Sequence, residues 1–88
     1  MLARERVAWN LRRVRVAARL SQEALAVDAD VDRTYISGIE TGTFNASLDV
    51  LDRLASALSV DVAELVALPD PTEVRPKPLP GGRRKLRS

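Results

Sequence analysis

The first proline in this chain of 88 residues is Pro69, and all five prolines lie between Pro69 and Pro80. Proline removes a helix hydrogen bond and clashes with the turn before it, at a cost of about 3 kcal/mol in a helix interior. Residues 1–68 are free of that interruption. Their apolar residues recur at helical spacing, and their β-branched residues do so as well rather than alternating. Nothing in them favours a strand. The expectation is an all-α domain over residues 1–68. Residues 69–88 carry Gly81, Gly82 and almost no large apolar residue. That composition buries too little surface to offset the entropy of ordering, so a flexible, partly extended tail is expected there.

Punctuation divides the first part into five helices. Val7, Leu11, Val14 and Ala18 share one face of helix 1, about residues 3–18. Ser21 opens SQEALAVDA, where its hydroxyl can cap helix 2, about residues 22–29, and Glu23 suits the positive end of the helix dipole. Asp32 caps helix 3, about residues 33–41, which Gly42 ends. Ser47 caps helix 4, about residues 48–58, with Leu48, Leu51, Leu54, Ala55 and Leu58 on one face. Asp61 and Glu64 have the spacing of a capping box and start helix 5, about residues 62–67.

The chain has no Cys and no His. Thiolate and imidazole chemistry are excluded, and with them most zinc sites and most nucleophile–base pairs. The carboxylates fall at helix caps and on polar faces, so an enzyme is not expected and no cofactor or metal is implied. No apolar run approaches the roughly 20 residues that span a bilayer. The charge-laced start MLARERVAWNLRR lacks the apolar run of a signal peptide. These features point to a soluble, cytoplasmic protein.

The net charge of +2 hides a gradient. Six Lys/Arg stand against two acids in residues 69–88, and six Arg against Glu5 alone in the first twenty residues. The middle is acidic. Basic segments at both ends suit a polyanion partner, although solubility alone also accounts for them.

The stretch DVDRTYISGIETG, Asp30 to Gly42, sharpens this. Val31, Ile36 and Ile39 hold one side of a short helix. The other side carries Arg33, Thr34, Ser37 and Gly38. Helix 2 and helix 3 are about two turns each and only Asp30–Asp32 separates them, which is the form of a helix-turn-helix. Taken together, LRRVR, LSQEALA, RTYISGIETG, SLDVLDRLASAL and SVDVAELV, in that order, resemble the Cro/phage-repressor-like (XRE-type) helix-turn-helix regulators over about residues 7–67. Within that family, the short length and RTYIS are similar to the small controller proteins of restriction–modification systems.

The resemblance implies a five-helix, lambda-repressor-like fold whose third helix enters the major groove of double-stranded DNA while the second crosses the backbone. The residue chemistry agrees. The Arg33 fork can pair with O6 and N7 of guanine, a contact worth about 1–3 kcal/mol of discrimination. Thr34 offers a hydroxyl and a methyl, and Ser37 a donor or acceptor one turn on. Gly38 costs about 1 kcal/mol relative to alanine within a helix. Either the backbone there approaches DNA closely, or an exposed face simply tolerates it.

Backbone contacts are expected from Gln22 at the first turn of helix 2, and from Thr41, Thr43 and Asn45 in the loop after helix 3. For the three loop residues an ordinary polar loop is the alternative. Tyr35 is carried over as a phosphate or base-edge contact, with packing against helix 2 as its alternative. Arg15 and Glu40 match a family pair that ties helix 1 to the end of helix 3. As an exposed pair it would contribute about 0–1 kcal/mol. Arg12, Arg13 and Arg19 are expected to be solvated.

Three positions depart from the family pattern. Asp30 stands where glycine is usual, Ala46 where proline precedes the helix 4 cap, and Phe44 where a basic residue is common. Trp9 falls off the Val7/Leu11/Val14 face and is expected at the surface. Trp9 and Phe44 together could mark a surface for a protein partner.

The family usually dimerises, which implies an inverted-repeat target. Val62, Val66 and Leu68 are the expected dimer surface, with Leu65 in the core. The implied function is a sequence-specific transcriptional regulator, repressing or both repressing and activating. The basic tail would add salt-dependent phosphate contacts or serve only solubility. The rival function is an antitoxin or anti-activator that works mainly by binding a protein.

Overall fold

The computed structural model describes residues 1–70. It contains α1 (Ala3–Ala17), α2 (Gln22–Ala29), α3 (Arg33–Glu40), α4 (Leu48–Ala57) and α5 (Val62–Val66). Among the described residues there is no strand. No helix there is long and apolar enough to cross a membrane. The basic run expected to form a tail (Arg75, Lys77, Arg83, Arg84, Lys85, Arg87) lies outside the described residues.

The four helix starts fall where the caps place them. Ser21 Oγ accepts from Ala24 N–H at 3.0 Å, Asp32 Oδ1 from Thr34 N–H at 2.7 Å, Ser47 Oγ from Val50 N–H at 3.1 Å and Asp61 Oδ1 from Ala63 N–H at 2.8 Å. Each satisfies one of the free amides of a first turn, worth about 1 kcal/mol. α1 starts differently: the Glu5 carboxylate reaches back to accept from Leu2 N–H at 2.9 Å.

The ends of α1 to α4 share one device. Arg19, Asp30 and Ser59 adopt left-handed backbone angles, φ 62°, 56° and 59°. The residue after each donates back to the last turn: Leu20 N–H to Arg15 O at 3.2 Å, Val31 N–H to Ala26 O at 3.0 Å and Val60 N–H to Ala55 O at 3.0 Å. Glycine is the usual occupant of such a position. Here only α3 uses one, Gly42 at φ 79°. Asp30 keeps the turn in glycine's place because its short polar side chain tolerates this conformation better than most. Every helix except α2 stops one residue short of the expected end.

Each helix places at least one fully buried aliphatic side chain at the centre: Leu11, Leu25, Ile36 with Ile39, Leu54 and Leu65. Burying each contributes about 1.5–3 kcal/mol. Around them α1 packs on α3 and α5, α2 on α3 and α4, and α4 on α5. Leu48 is a correction. Its spacing put it on the core face of α4, yet it is 81% exposed. As the first residue of the helix, it leans toward the N-terminal end, beyond the edge of the core. α5 is only five residues long and needs an external tie. Asn10, buried in α1, donates from Nδ2 to Leu65 O at 3.2 Å and to Ala67 O at 2.7 Å.

Candidate nucleic-acid interface

α2 and α3 meet across the Asp30 turn. Arg53 of α4 fastens that turn by donating from Nη1 to Asp30 O at 3.3 Å. The inner face of α3 is Ile36, Ile39 and Glu40, all buried. Opposite them Arg33 and Thr34 are exposed and Ser37 is half-buried. These three side chains have no hydrogen-bond or ionic partner among the described residues. Arg33 is the only cation on α3. A short rod fixed on one side thus presents a guanidinium and two hydroxyls on the other.

What fixes the rod is a buried polar cluster. The Glu40 carboxylate accepts from Arg15 Nε at 2.6 Å and Arg15 Nη2 at 3.0 Å, from Arg12 Nε at 3.3 Å and from Gln22 Nε2 at 3.1 Å. Arg15 Nη1 also donates to Leu20 O at 2.8 Å. Two expectations are corrected here. The Arg15–Glu40 pair is not exposed: the two residues retain 5% and 1% of their surface. Arg12 is not simply solvated but joins the same carboxylate. The cluster of two guanidiniums and one carboxylate carries a net positive charge. It sits beside the first turn of α2, where free amides already favour an anion. Gln22 is therefore held from below, with one amide hydrogen and its carbonyl oxygen left for an outside contact.

The loop after α3 is equally constrained. Gly38 O accepts from Thr43 N–H at 2.8 Å, Phe44 N–H at 3.0 Å and Thr41 Oγ1 at 3.1 Å. The Thr41 and Thr43 hydroxyls lie 2.9 Å apart and share a hydrogen bond. Tyr35 Oη donates to Asn45 O at 3.1 Å, and Asn45 Oδ1 accepts from Arg4 Nη1 at 3.2 Å. Thr41, Thr43 and Asn45 remain exposed. Gly38 has a reason inside the chain that neither sequence alternative named. The Phe44 ring lies directly over it, and a Cβ there would come within 2.7 Å of ring carbon Cε2.

The two remaining groups of expected residues lie elsewhere. Trp9 is half-buried rather than at the surface. Its Nε1 is enclosed and has no acceptor among the described residues. Val62 and Val66 are partly exposed on α5 and Leu68 more so, while Leu65 is fully buried. Sequence reasoning missed Arg12, Asn10, Arg53 and Arg4 as contributors. For Asn10 a signal was available, since it adjoins Leu11 and lies three residues from Val7 on the helical wheel.

A helix-turn-helix family model matches residues 11–65. The control protein C.BamHI of Bacillus amyloliquefaciens is 44% identical over 57 residues, spanning 64% of this chain and 70% of that protein. Among solved structures, the hypothetical transcription factor NHTF from Neisseria matches with a TM-score of 0.74 at 37% identity, covering 77% of this chain and 78% of that one. The restriction-modification controller protein C.AhdI from Aeromonas hydrophila matches with a TM-score of 0.68 at 40% identity, covering 70% and 94%.

Proposed function

Because the chain belongs to the XRE-type helix-turn-helix family of DNA-binding transcription regulators, we propose that it binds an inverted-repeat operator as a homodimer. There it represses, or represses and activates according to the site occupied. The observation that carries this is the division of α3: Ile36, Ile39 and Glu40 are buried, while Arg33, Thr34 and Ser37 face outward with no side-chain partner among the described residues.

The α3 helix enters the major groove. Arg33, at its first position, reaches a guanine edge, and Thr34 and Ser37 address the adjoining bases. The first turn of α2, with Gln22 and the positive Arg12–Arg15–Glu40 cluster behind it, takes a phosphate on one flank. Thr41, Thr43 and Asn45 take phosphates on the other. These contacts fix register and orientation, and the α3 side chains select sequence.

Dimerisation follows from affinity. One α3 helix of eight residues reads only a few base pairs. Two, placed about 34 Å apart, read both halves of a repeat. Val62, Val66 and Leu68 form the surface by which a second copy docks. Occupying the operator blocks polymerase, and an upstream site would instead hold it. The relatives named as control proteins of restriction–modification systems support a controller-type role.

The antitoxin or anti-activator function gains less support. Trp9 is half-buried rather than exposed, so the expected two-residue apolar surface for a protein partner is reduced to Phe44. Selection of bound sequences from random duplex DNA tests the proposal. The expected product is an inverted repeat with half-sites one helical turn apart. Enrichment of a single, unrepeated half-site would remove the dimer, and no enrichment would remove sequence reading altogether.

A further inference from the structure

The ring of Phe44 occupies a place that another side chain would normally take. Gly38 lies one helical turn beyond Thr34 on the outward side of α3, so a side chain at 38 would continue the row that Thr34 begins. A Cβ there would fall within 2.7 Å of ring atom Cε2 and closer still to Cγ and Cδ2. The ring therefore stands where that side chain would stand.

Several contacts hold it there. The Phe44 and Thr43 amides both donate to Gly38 O, at 3.0 and 2.8 Å. The Phe44 ring tilts against Tyr35, with centroids 5.9 Å apart at 58°. Tyr35 is fixed in turn by its hydrogen bond to Asn45 O at 3.1 Å. Yet Phe44 remains 41% exposed, an apolar surface seated on the position one helical turn after Thr34. Aromatic surface open to water gains free energy when an apolar group covers it. In the major groove the apolar group is the C5-methyl of thymine.

We propose that Phe44, seated on Gly38, is a specificity-determining residue that extends the reading face of α3 and recognises a thymine methyl in each half-site. This rests on the proposal that α3 enters the major groove. Gly38 makes no base contact of its own; it is the seat that lets a loop residue reach the bases. The ring supplies no charge, so its contribution is insensitive to salt.

The test replaces each thymine of the selected operator, one at a time, with deoxyuridine, which removes only the methyl. Binding is measured for the wild type, Phe44→Ala, Phe44→Leu and Gly38→Ala, with helical content and melting temperature recorded for each. At one thymine per half-site the wild type should lose about fourfold in affinity, the worth of one apolar carbon returned to water. Phe44→Ala should bind both duplexes equally, and Phe44→Leu should keep part of the discrimination. Gly38→Ala should lose it too, by displacing the ring. The double variant Gly38→Ala/Phe44→Ala should bind no worse than Phe44→Ala alone. If Phe44→Ala retains the full wild-type ratio between thymine and deoxyuridine at every position, or if the wild type shows no such ratio, the proposal is overturned. Guanine preference at the Arg33 position, scored in the same panel, shows separately whether base reading by α3 stands.

Discussion

Removing the Glu40 carboxylate is expected to cost this domain a large share of its stability. Glu40 is 1% exposed and accepts four hydrogen bonds, two of them from Arg15, itself 5% exposed. In Glu40→Ala the Arg15 guanidinium stays buried with Leu20 O as its remaining acceptor. Breaking a buried pair from one side costs about 3–5 kcal/mol, because the other charge is left uncompensated. Domains of this size carry about 0.05–0.15 kcal/mol per residue, or about 3.5–10 kcal/mol over the 70 described residues. The variant therefore loses between roughly a third and all of its stability. With about 4–8 °C of melting temperature per kcal/mol, Tm should fall by at least about 12 °C. Far-ultraviolet circular dichroism on heating measures this. A fall of less than about 4 °C would mean that the cluster contributes no more than a surface pair and would refute the reasoning. Replacing both partners, Arg15→Met with Glu40→Leu, should recover most of the Tm, since well-packed apolar pairs substitute for buried ionic ones. It should not recover DNA affinity, because Gln22 and Arg12 lose their common anchor.

Two further outcomes follow from the fold. Arg19→Gly should raise Tm by a few degrees, because a long side chain at φ 62° carries left-handed strain of about 1 kcal/mol that glycine lacks; an unchanged or lower Tm would count against it. Val66→Asp should leave helical content intact but shift the protein toward monomer in sedimentation and weaken operator binding at least about tenfold, as expected when a charge faces an apolar patch that no longer docks; an unchanged sedimentation coefficient and affinity would place the dimer surface elsewhere.

The helix starts were legible because capping is local. Ser21, Asp32, Ser47 and Asp61 each act within three residues of themselves, and spacing alone reveals that. The core was legible for a similar reason, since Leu11, Ile36, Leu54 and Leu65 sit on clear helical faces. The polar cluster was not, because hydropathy assigns Arg12, Arg15 and Glu40 to solvent. A finer signal was present: Arg15 lies four residues after Leu11, and Glu40 four after Ile36, so both fall on buried faces. The family resemblance supplied the Arg15–Glu40 pair but not its burial, nor the addition of Arg12 and Gln22, which depends on how three helices converge. Leu48 shows the opposite limit, an apolar residue at helical spacing that lies beyond the end of the core. Gly38 and Phe44 could not be paired from sequence. Six positions and a turn separate them, and each taken alone suggested another explanation: a close approach to DNA for the glycine, a partner surface for the ring.

If the outward face of α3 reads bases from a dimer, Arg33 is the residue whose loss should show it most clearly. The measurement is selection from random duplex DNA with the wild type beside Arg33→Ala. An inverted repeat in the wild type, with guanine preference relaxed at one position per half-site in the variant and the rest unchanged, is the expected result. Identical sequence preferences in the two proteins, or no enrichment beyond weak salt-sensitive binding in either, would contradict it.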